Sequence, residues 1–469
     1  MFRALHPVPA RPSGTVRTCV LLVLLAGTGI AILELVREQT GTPGFFVGLG
    51  LALLPVVPLM AAFRWLGRAA PAPWSQLLFC FAWGACTAAL IAILANNFAT
   101  QWIAAATADP SEADQLGSVA IAPVVEESAK AAALLLVFMF RRRHFTGPAD
   151  GFVVAGFTAI GFAFTENILY LGNAFVQDLA DGTGVLDSVT AATFFVRIVL
   201  SPFAHPLFTV LTGLGFGAAA VSARRSRRIF LPLLGLALAM GMHALWNGSS
   251  RFGDHGFYVV YSCVMVPLFG LLVWVAVRIR RGRLQAVAGE LALYAAAGWL
   301  APAEVPALAS MPARSLARSL ARRSGGRAAG RAVARYEADA VALALLRNRA
   351  RRGGLREADF ADRERELLDR LWQCRTTAGP ALARAAVMEE LLPPGLDPSE
   401  PLRPSDPFRP SEPLQPSESA AGPAGPAGLP GPRRHQEPSV RRSGPWTPAT
   451  PAGPSSIRPC VLPGGDGVR

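Results

Sequence analysis

Eight apolar stretches constrain this chain more than any other feature: residues 18–36, 44–63, 75–96, 118–140, 151–173, 196–220, 229–248 and 256–278. Each is close to the ~20 residues that a helix needs to cross a bilayer. In hydrocarbon the backbone must satisfy its own N–H and C=O groups, so a span is either a helix or part of a closed barrel. Runs this long, without strict alternation, read as helices. The expected fold class is therefore all-α, a polytopic membrane helical bundle of about eight spans.

The arginines orient it. Arg3, Arg11 and Arg17 precede the first span, Arg64 and Arg68 follow the second, and Arg141-Arg142-Arg143 follow the fourth. Arg224, Arg225, Arg227 and Arg228 separate the sixth from the seventh, and Arg278, Arg280, Arg281 and Arg283 follow the eighth. With eight spans all of these fall on one side, which the positive-inside rule makes cytoplasmic. The other loops carry Asp109, Glu112, Asp114, Asp178, Asp181 and Asp187. The expectation is a multi-pass protein of the cell membrane with both termini in the cytoplasm. Its first apolar run is read as a span and not as a removed signal peptide, because no clear cleavage site follows it. The net charge of +13 needs no nucleic acid to explain it, since the basic residues sit at span ends and in the tail, where anionic lipid attracts them.

Three segments follow from the change in composition. Residues 1–280 form the transmembrane core. Residues 281–390 alternate apolar and charged positions at helical spacing, as in Tyr336–Ala350 and Leu355–Trp372, and are expected to be a cytoplasmic helical juxtamembrane segment. Residues 391–469 are expected to be a disordered tail: they repeat Pro398-Ser-Glu-Pro401, Pro404-Ser-Asp-Pro407 and Pro410-Ser-Glu-Pro413, and have too few apolar residues to build a core. An unidentified cytoplasmic protein is the partner that such a tail suggests.

Four spans carry ionisable groups away from their ends. The fourth has Glu126, Glu127 and Lys130, the fifth Glu166, the sixth His205, and the seventh His243 with Asn247. Lys130 is the only lysine in a chain with 45 Lys+Arg residues. Arginine serves wherever a simple positive charge is needed, so an ammonium beside two carboxylates in an apolar helix calls for a local reason. Such residues cost roughly 2.5–3.5 kcal/mol each on insertion scales. A rise of about 1.5 Å per residue puts Glu126 and His205 roughly 12–14 Å, and Glu166 and His243 roughly 7–11 Å, from the outer ends of their spans, levels that can meet. Lys130 lies i+4 from Glu126 and i+3 from Glu127, and His243 and Asn247 share a face at i, i+4. Gly156, Gly161 and Gly213 permit close helix approach.

Hydrolysis of a peptide bond needs a base for water, a group that polarises the carbonyl, and an acid for the leaving amine. A glutamate can be the base, and His and Asn can donate to the oxyanion. Alternatively, two histidines and a glutamate can hold zinc. No H-E-x-x-H occurs, so a metal site would draw on separate helices. Other readings exist. A Glu–Lys pair can be purely structural, and a lone span histidine is more often a helix–helix hydrogen bond. A transporter or proton relay also uses buried Glu, His and Lys, although no inverted repeat or pair of broken helices accompanies them here. A non-enzymatic scaffold is a third possibility.

Glu126-Glu127-x-x-Lys130, Phe162-x-x-x-Glu166, His205 and His243-x-x-x-Asn247 together resemble the PrsW family of intramembrane proteases, which is related to the CAAX prenyl-protease group. The resemblance covers residues 118–250. It implies cleavage of membrane-anchored protein substrates, such as anti-sigma factors, with either zinc or a glutamate-activated water. It also implies site roles. One of Glu126 and Glu127 activates water while the other pairs with Lys130. Glu166, His205 and His243 bind the water or metal, Asn247 completes the catalytic set and stabilises the oxyanion, and Phe162 walls the pocket. The sequence leaves the division between the two glutamates open.

Overall fold

The computed structural model describes residues 14–107, 111, 115–141, 145–184, 187–353 and 357–390. The proline-rich repeat, Arg3, Arg11, Arg142, Arg143 and the loop carboxylates Asp109, Glu112 and Asp114 lie outside them. The described residues form helices joined by short loops, with no strand among them. Two compact units emerge: residues up to Val287 together with Ala338–Leu367, and Ala288–Glu337 together with the residues from Leu368 onward.

The first unit is a helical membrane bundle. Six helices are long and apolar enough to cross a membrane, over Thr18–Ala69, Trp74–Thr107, Pro148–Asp181, Val189–Val221, Arg225–Asn247 and Gly256–Ala296. The first of these accounts for two expected spans. Helix α1 (Gly14–Leu66) runs through both, but its backbone leaves helical geometry at Gly41, where φ is 65°. Only glycine takes that conformation readily, so the chain turns there. A straight helix of that length would extend more than twice the ~30 Å of a bilayer core. The remaining expected span, 118–140, coincides with α4 (Ala122–Phe140), whose two glutamates and lysine remove it from the purely apolar class.

Between them lie α2 (Trp74–Ala82) and α3 (Ala89–Thr107), linked through a π-turn at Trp83–Ala88. The central element is α5 (Pro148–Asp181), the most deeply buried of the spanning helices. It packs against α1 and against α7 (Ala204–Val221), and α7 in turn packs against α8 (Arg225–Asn247). Small residues allow this closeness. A Cβ at Gly161 would collide with the Phe81 carbonyl, and one at Gly213 with the Gly151 carbonyl. These are helix–helix contacts that only glycine permits, as expected for bundles in lipid. Gly156 instead accommodates the Phe63 ring. The core around α5 is filled by Leu134, Val137, Phe145, Phe157 and Phe208, all nearly inaccessible to solvent.

Short α6 (Val189–Phe194) enters the bundle through a second π-turn, Phe195–Leu200, before α7 begins. Beyond α8, α9 (Gly256–Val260) leads through a further π-turn into α10 (Val266–Ala296). Arg283 of α10 pairs with Asp150 in the first turn of α5 at 2.8 Å.

The second unit contains α11 (Glu304–Ala309) and parts of α12 (Met311–Arg351) and α13 (Glu357–Met388). Its core holds Tyr294, Leu308, Val333 and Tyr336. Tyr336 donates its hydroxyl to Glu304, and Arg318 pairs with Glu337 at 2.6 Å.

Candidate active site

Helix α4 supplies the first side of the site. Pro123 sits in its first turn, where a missing N–H costs nothing. Trp83, in the π-turn opposite, donates its indole N–H to the Ala129 carbonyl at 3.0 Å and fixes the rotation of α4. That rotation turns Glu126, Glu127 and Lys130 inward, and all three are buried.

Lys130 is the hub. Its Nζ lies 2.9 Å from Glu127 Oε1, 3.5 Å from Glu126 Oε2 and 3.2 Å from His205 Nδ1. It also stands 3.7 Å above the centre of the Phe162 ring, a cation–π contact. The predicted pocket wall at Phe162 is thus one face of the lysine's cage.

The two glutamates occupy different environments. Glu127 is fully enclosed, and both its oxygens are engaged. Oε1 takes Lys130 and lies 3.2 Å from His243 Nδ1, and Oε2 accepts from the Thr209 hydroxyl at 2.9 Å. Glu126 makes only looser contacts, 3.5 Å to Lys130 and 3.8 Å to His243 Nε2.

The histidines come from α7 and α8. Their rings are 5.3 Å apart and perpendicular, and Phe208 stacks on His243 at 4.9 Å. His205 Nε2 lies 2.5 Å from Glu166 Oε2 on α5. Glu166 is held from the other side by Arg197 at 3.0 Å. Arg197 also donates to the Asn167 side chain at 2.8 Å and lies 3.9 Å over the Tyr170 ring.

Seven of the eight residues singled out in the sequence therefore converge: Glu126, Glu127, Lys130, Phe162, Glu166, His205 and His243. Asn247 stands one turn beyond His243, and its Nδ2 donates to the Ser118 carbonyl at 2.8 Å. Three contributors were not anticipated. Thr209 is one turn from His205 on α7, a spacing that could have revealed it. Phe208 looked like ordinary core. Arg197 sits at the very start of the sixth apolar run, where an arginine reads as a span boundary.

Among these side chains, Glu126, His205 and His243 each offer a ligand atom, all within 4.8 Å of one another. Two imidazoles and one carboxylate are a donor set known for catalytic zinc.

Residues 72–272, which contain every residue of this cluster, match the model of the PrsW family, described as intramembrane metalloproteases. The same assignment comes from individual proteins. A Protease PrsW of Clostridioides difficile (strain 630) is 24% identical over 202 residues, covering 42% of this chain and 78% of that protein. Over this region the chain is similar to the PrsW family. A Bacillus subtilis (strain 168) Protease PrsW is 30% identical over 143 residues, 29% of this chain and 56% of that protein. One from Geobacillus kaustophilus (strain HTA426) is 33% identical over 90 residues, 19% and 33% respectively. The chain thus spans less than two thirds of these last two PrsW relatives. No solved structure gives a significant match. With PrsW relatives and a helical membrane bundle, the chain is a membrane protease of the hydrolase class.

Proposed function

We propose that the chain hydrolyses peptide bonds of membrane-anchored proteins at the cluster formed by Glu126, His205 and His243. The observation that carries this reading is the meeting of those three donor groups within 4.8 Å, inside an apolar bundle. Such a gathering is costly in lipid and is repaid by function.

The chain's own residues divide the work. A carboxylate oxygen only accepts hydrogen bonds, so Glu127 Oε1 assigns the proton of His243 to Nδ1. The Nε2 lone pair of His243 is then free on the side of Glu126. Likewise the Glu166 carboxylate beside His205 Nε2 favours the proton on that nitrogen, and Nδ1 faces Lys130. Glu126, with the loosest contacts of the two α4 glutamates, accepts the proton of the attacking water and returns it to the leaving amine. Glu127, Thr209 and Glu166 orient the two imidazoles. Lys130 offsets the charge of the carboxylates. Asn247, near the end of α8, is assigned to the substrate carbonyl.

The donor set also fits zinc: in that case Glu126 would be a ligand and not the base, alongside His205 and His243, and Glu127 would be the carboxylate behind His243. When bound, the ion supplies a Lewis acid that polarises the scissile carbonyl.

The substrate class is a membrane-anchored protein, and anti-sigma factors are the kind that the family resemblance suggests. The arginine-bearing loops and both termini are placed in the cytoplasm, the organisation into residues 1–280, 281–390 and 391–469 is retained, and the tail is assigned to a cytoplasmic protein partner. The test is cleavage of a membrane-tethered reporter by the full chain in proteoliposomes. Loss of cleavage in a folded Glu126→Gln variant supports the reading, and wild-type cleavage by that variant overturns it.

A further inference from the structure

Partly buried arginines in the membrane unit normally meet a carboxylate. Arg197 has Glu166, Arg283 has Asp150, and Arg347 has Glu364. Partly buried Arg64 and Arg280 and the exposed Arg68 have no such partner, and partly buried Arg228 meets the Ser222 carbonyl. Arg64 and Arg68 close α1, and Arg280 lies on α10. No carboxylate among the described residues pairs with any of them. Instead, the positive charge of Arg68 acts on both Arg64 and Arg280.

Their guanidinium groups are nonetheless held in place. Arg64 lies 4.7 Å over the Trp74 ring and donates to the Ala72 carbonyl at 3.0 Å. Arg280 lies 3.9 Å over the Trp65 ring. Arg68 is exposed between them. Both tryptophans are about half exposed, Trp65 at 46% and Trp74 at 52%, at the ends of spanning helices. That is the position of an aromatic belt at the membrane–water boundary. Like charges gathered without a counter-ion repel one another, and planar forks of this kind match a phosphate group.

We propose that Arg64, Arg68 and Arg280 form a binding site for the phosphate of an anionic membrane lipid, flanked by Trp65 and Trp74. The ring contacts fix the two outer guanidinium groups, and the exposed Arg68 closes the site from the water side. The ligand is a lipid and not a soluble phosphate, because the half-exposed tryptophans that orient the arginines stand at the ends of spanning helices, the level of lipid headgroups. The site lies apart from the protease cluster.

The experiment uses the full chain in phosphatidylcholine nanodiscs doped with phosphatidylglycerol, and native mass spectrometry counts the phosphatidylglycerol retained on release. Substituting Arg64→Gln, Arg68→Gln and Arg280→Gln together should lower retention about tenfold. Substituting Arg224, Arg225 and Arg227 by Gln, another basic loop, should leave it unchanged. An equal loss in that control would mean attraction to basic charge in general and would overturn the site. Displacement of the lipid by inorganic phosphate at equal concentration would also overturn it, by making the ligand a free anion. Should the triple variant fail to fold, Arg68→Gln alone decides: this side chain is exposed, and unchanged retention in that folded variant refutes the proposal.

Discussion

Glu127 Oε1 and His243 Nδ1 lie 3.2 Å apart, and this contact decides which nitrogen of the ring is available for chemistry. It also separates the two adjacent glutamates. One carboxylate is consumed in holding the site together, and the other faces the ring's free edge.

Glu126→Gln should therefore lower reporter cleavage by about 10²–10⁴-fold, the usual worth of a general base, with little change in thermal stability. Glu127→Gln should lower both. It breaks a buried network in which Lys130, His243 and Thr209 all depend on one carboxylate, and such a loss costs about 3–5 kcal/mol. Cleavage rates and thermal midpoints of the two variants, measured side by side, check the assignment. Equal midpoints would show that the glutamates are not divided in this way.

Lys130→Arg should impair cleavage nearly as much as Lys130→Ala. The ammonium is fully enclosed between two glutamates, a histidine and the Phe162 ring. A guanidinium is larger, forked and unable to release a proton there. Near-normal cleavage by the arginine variant, at matched expression, would reduce Lys130 to a generic positive charge.

Arg197 holds Glu166, and Glu166 holds His205. Arg197→Gln should lower kcat about tenfold, roughly 1.4 kcal/mol of transition-state stabilisation, and leave KM nearly unchanged. Arg197→Lys should recover only part of the loss, because lysine keeps the charge without the second bond to Asn167. A KM effect alone would place Arg197 in substrate binding.

Metal analysis of the purified full chain should find about one zinc per molecule, as in single-ion catalytic sites. His243→Ala should abolish retention, and Glu127→Gln should weaken it about 10–100-fold, the usual effect of losing the carboxylate behind a ligand. Cleavage that persists in a metal-free preparation would assign the reaction to glutamate-activated water.

In the second unit, burial pushes the Glu337 carboxyl up to about 7, against the opposing pull of Arg318 and Arg314. The folded form then holds a proton that the unfolded form releases near the ordinary glutamate value. This contribution to stability is fully present below about 4.5 and is lost as pH rises towards 7, with no further slope above. Hydrogen exchange over residues 311–337 of the full chain should accelerate through that window. Glu337→Gln should flatten the response.

Most of the bundle was legible because spans must be apolar for about twenty residues, and the exceptions to that rule are the residues that cluster around Lys130. Order and spacing were enough to bring Glu126, Glu127, Lys130, Glu166, His205 and His243 together. The division between Glu126 and Glu127 was not legible. Neighbours on a helix point about 100° apart, and which one faces inward depends on the rotation set by Trp83 and on distant partners such as Thr209. Arg197 was hidden by position, since an arginine at the edge of an apolar run looks like any span end. The partner of Asn247 was hidden because a backbone carbonyl, Ser118, leaves no trace in residue type.

The enclosure of Lys130 has a practical consequence for anyone who handles this protein. It is the only side-chain primary amine in the chain and has no solvent exposure. Amine-reactive dyes and cross-linkers therefore find no lysine on the folded surface, and apart from the α-amino group they have a single target. Modification at Lys130 would be a direct chemical signal that water and reagent had entered the protease cluster. An ordinary labelling reagent thus becomes a reporter of when the site opens.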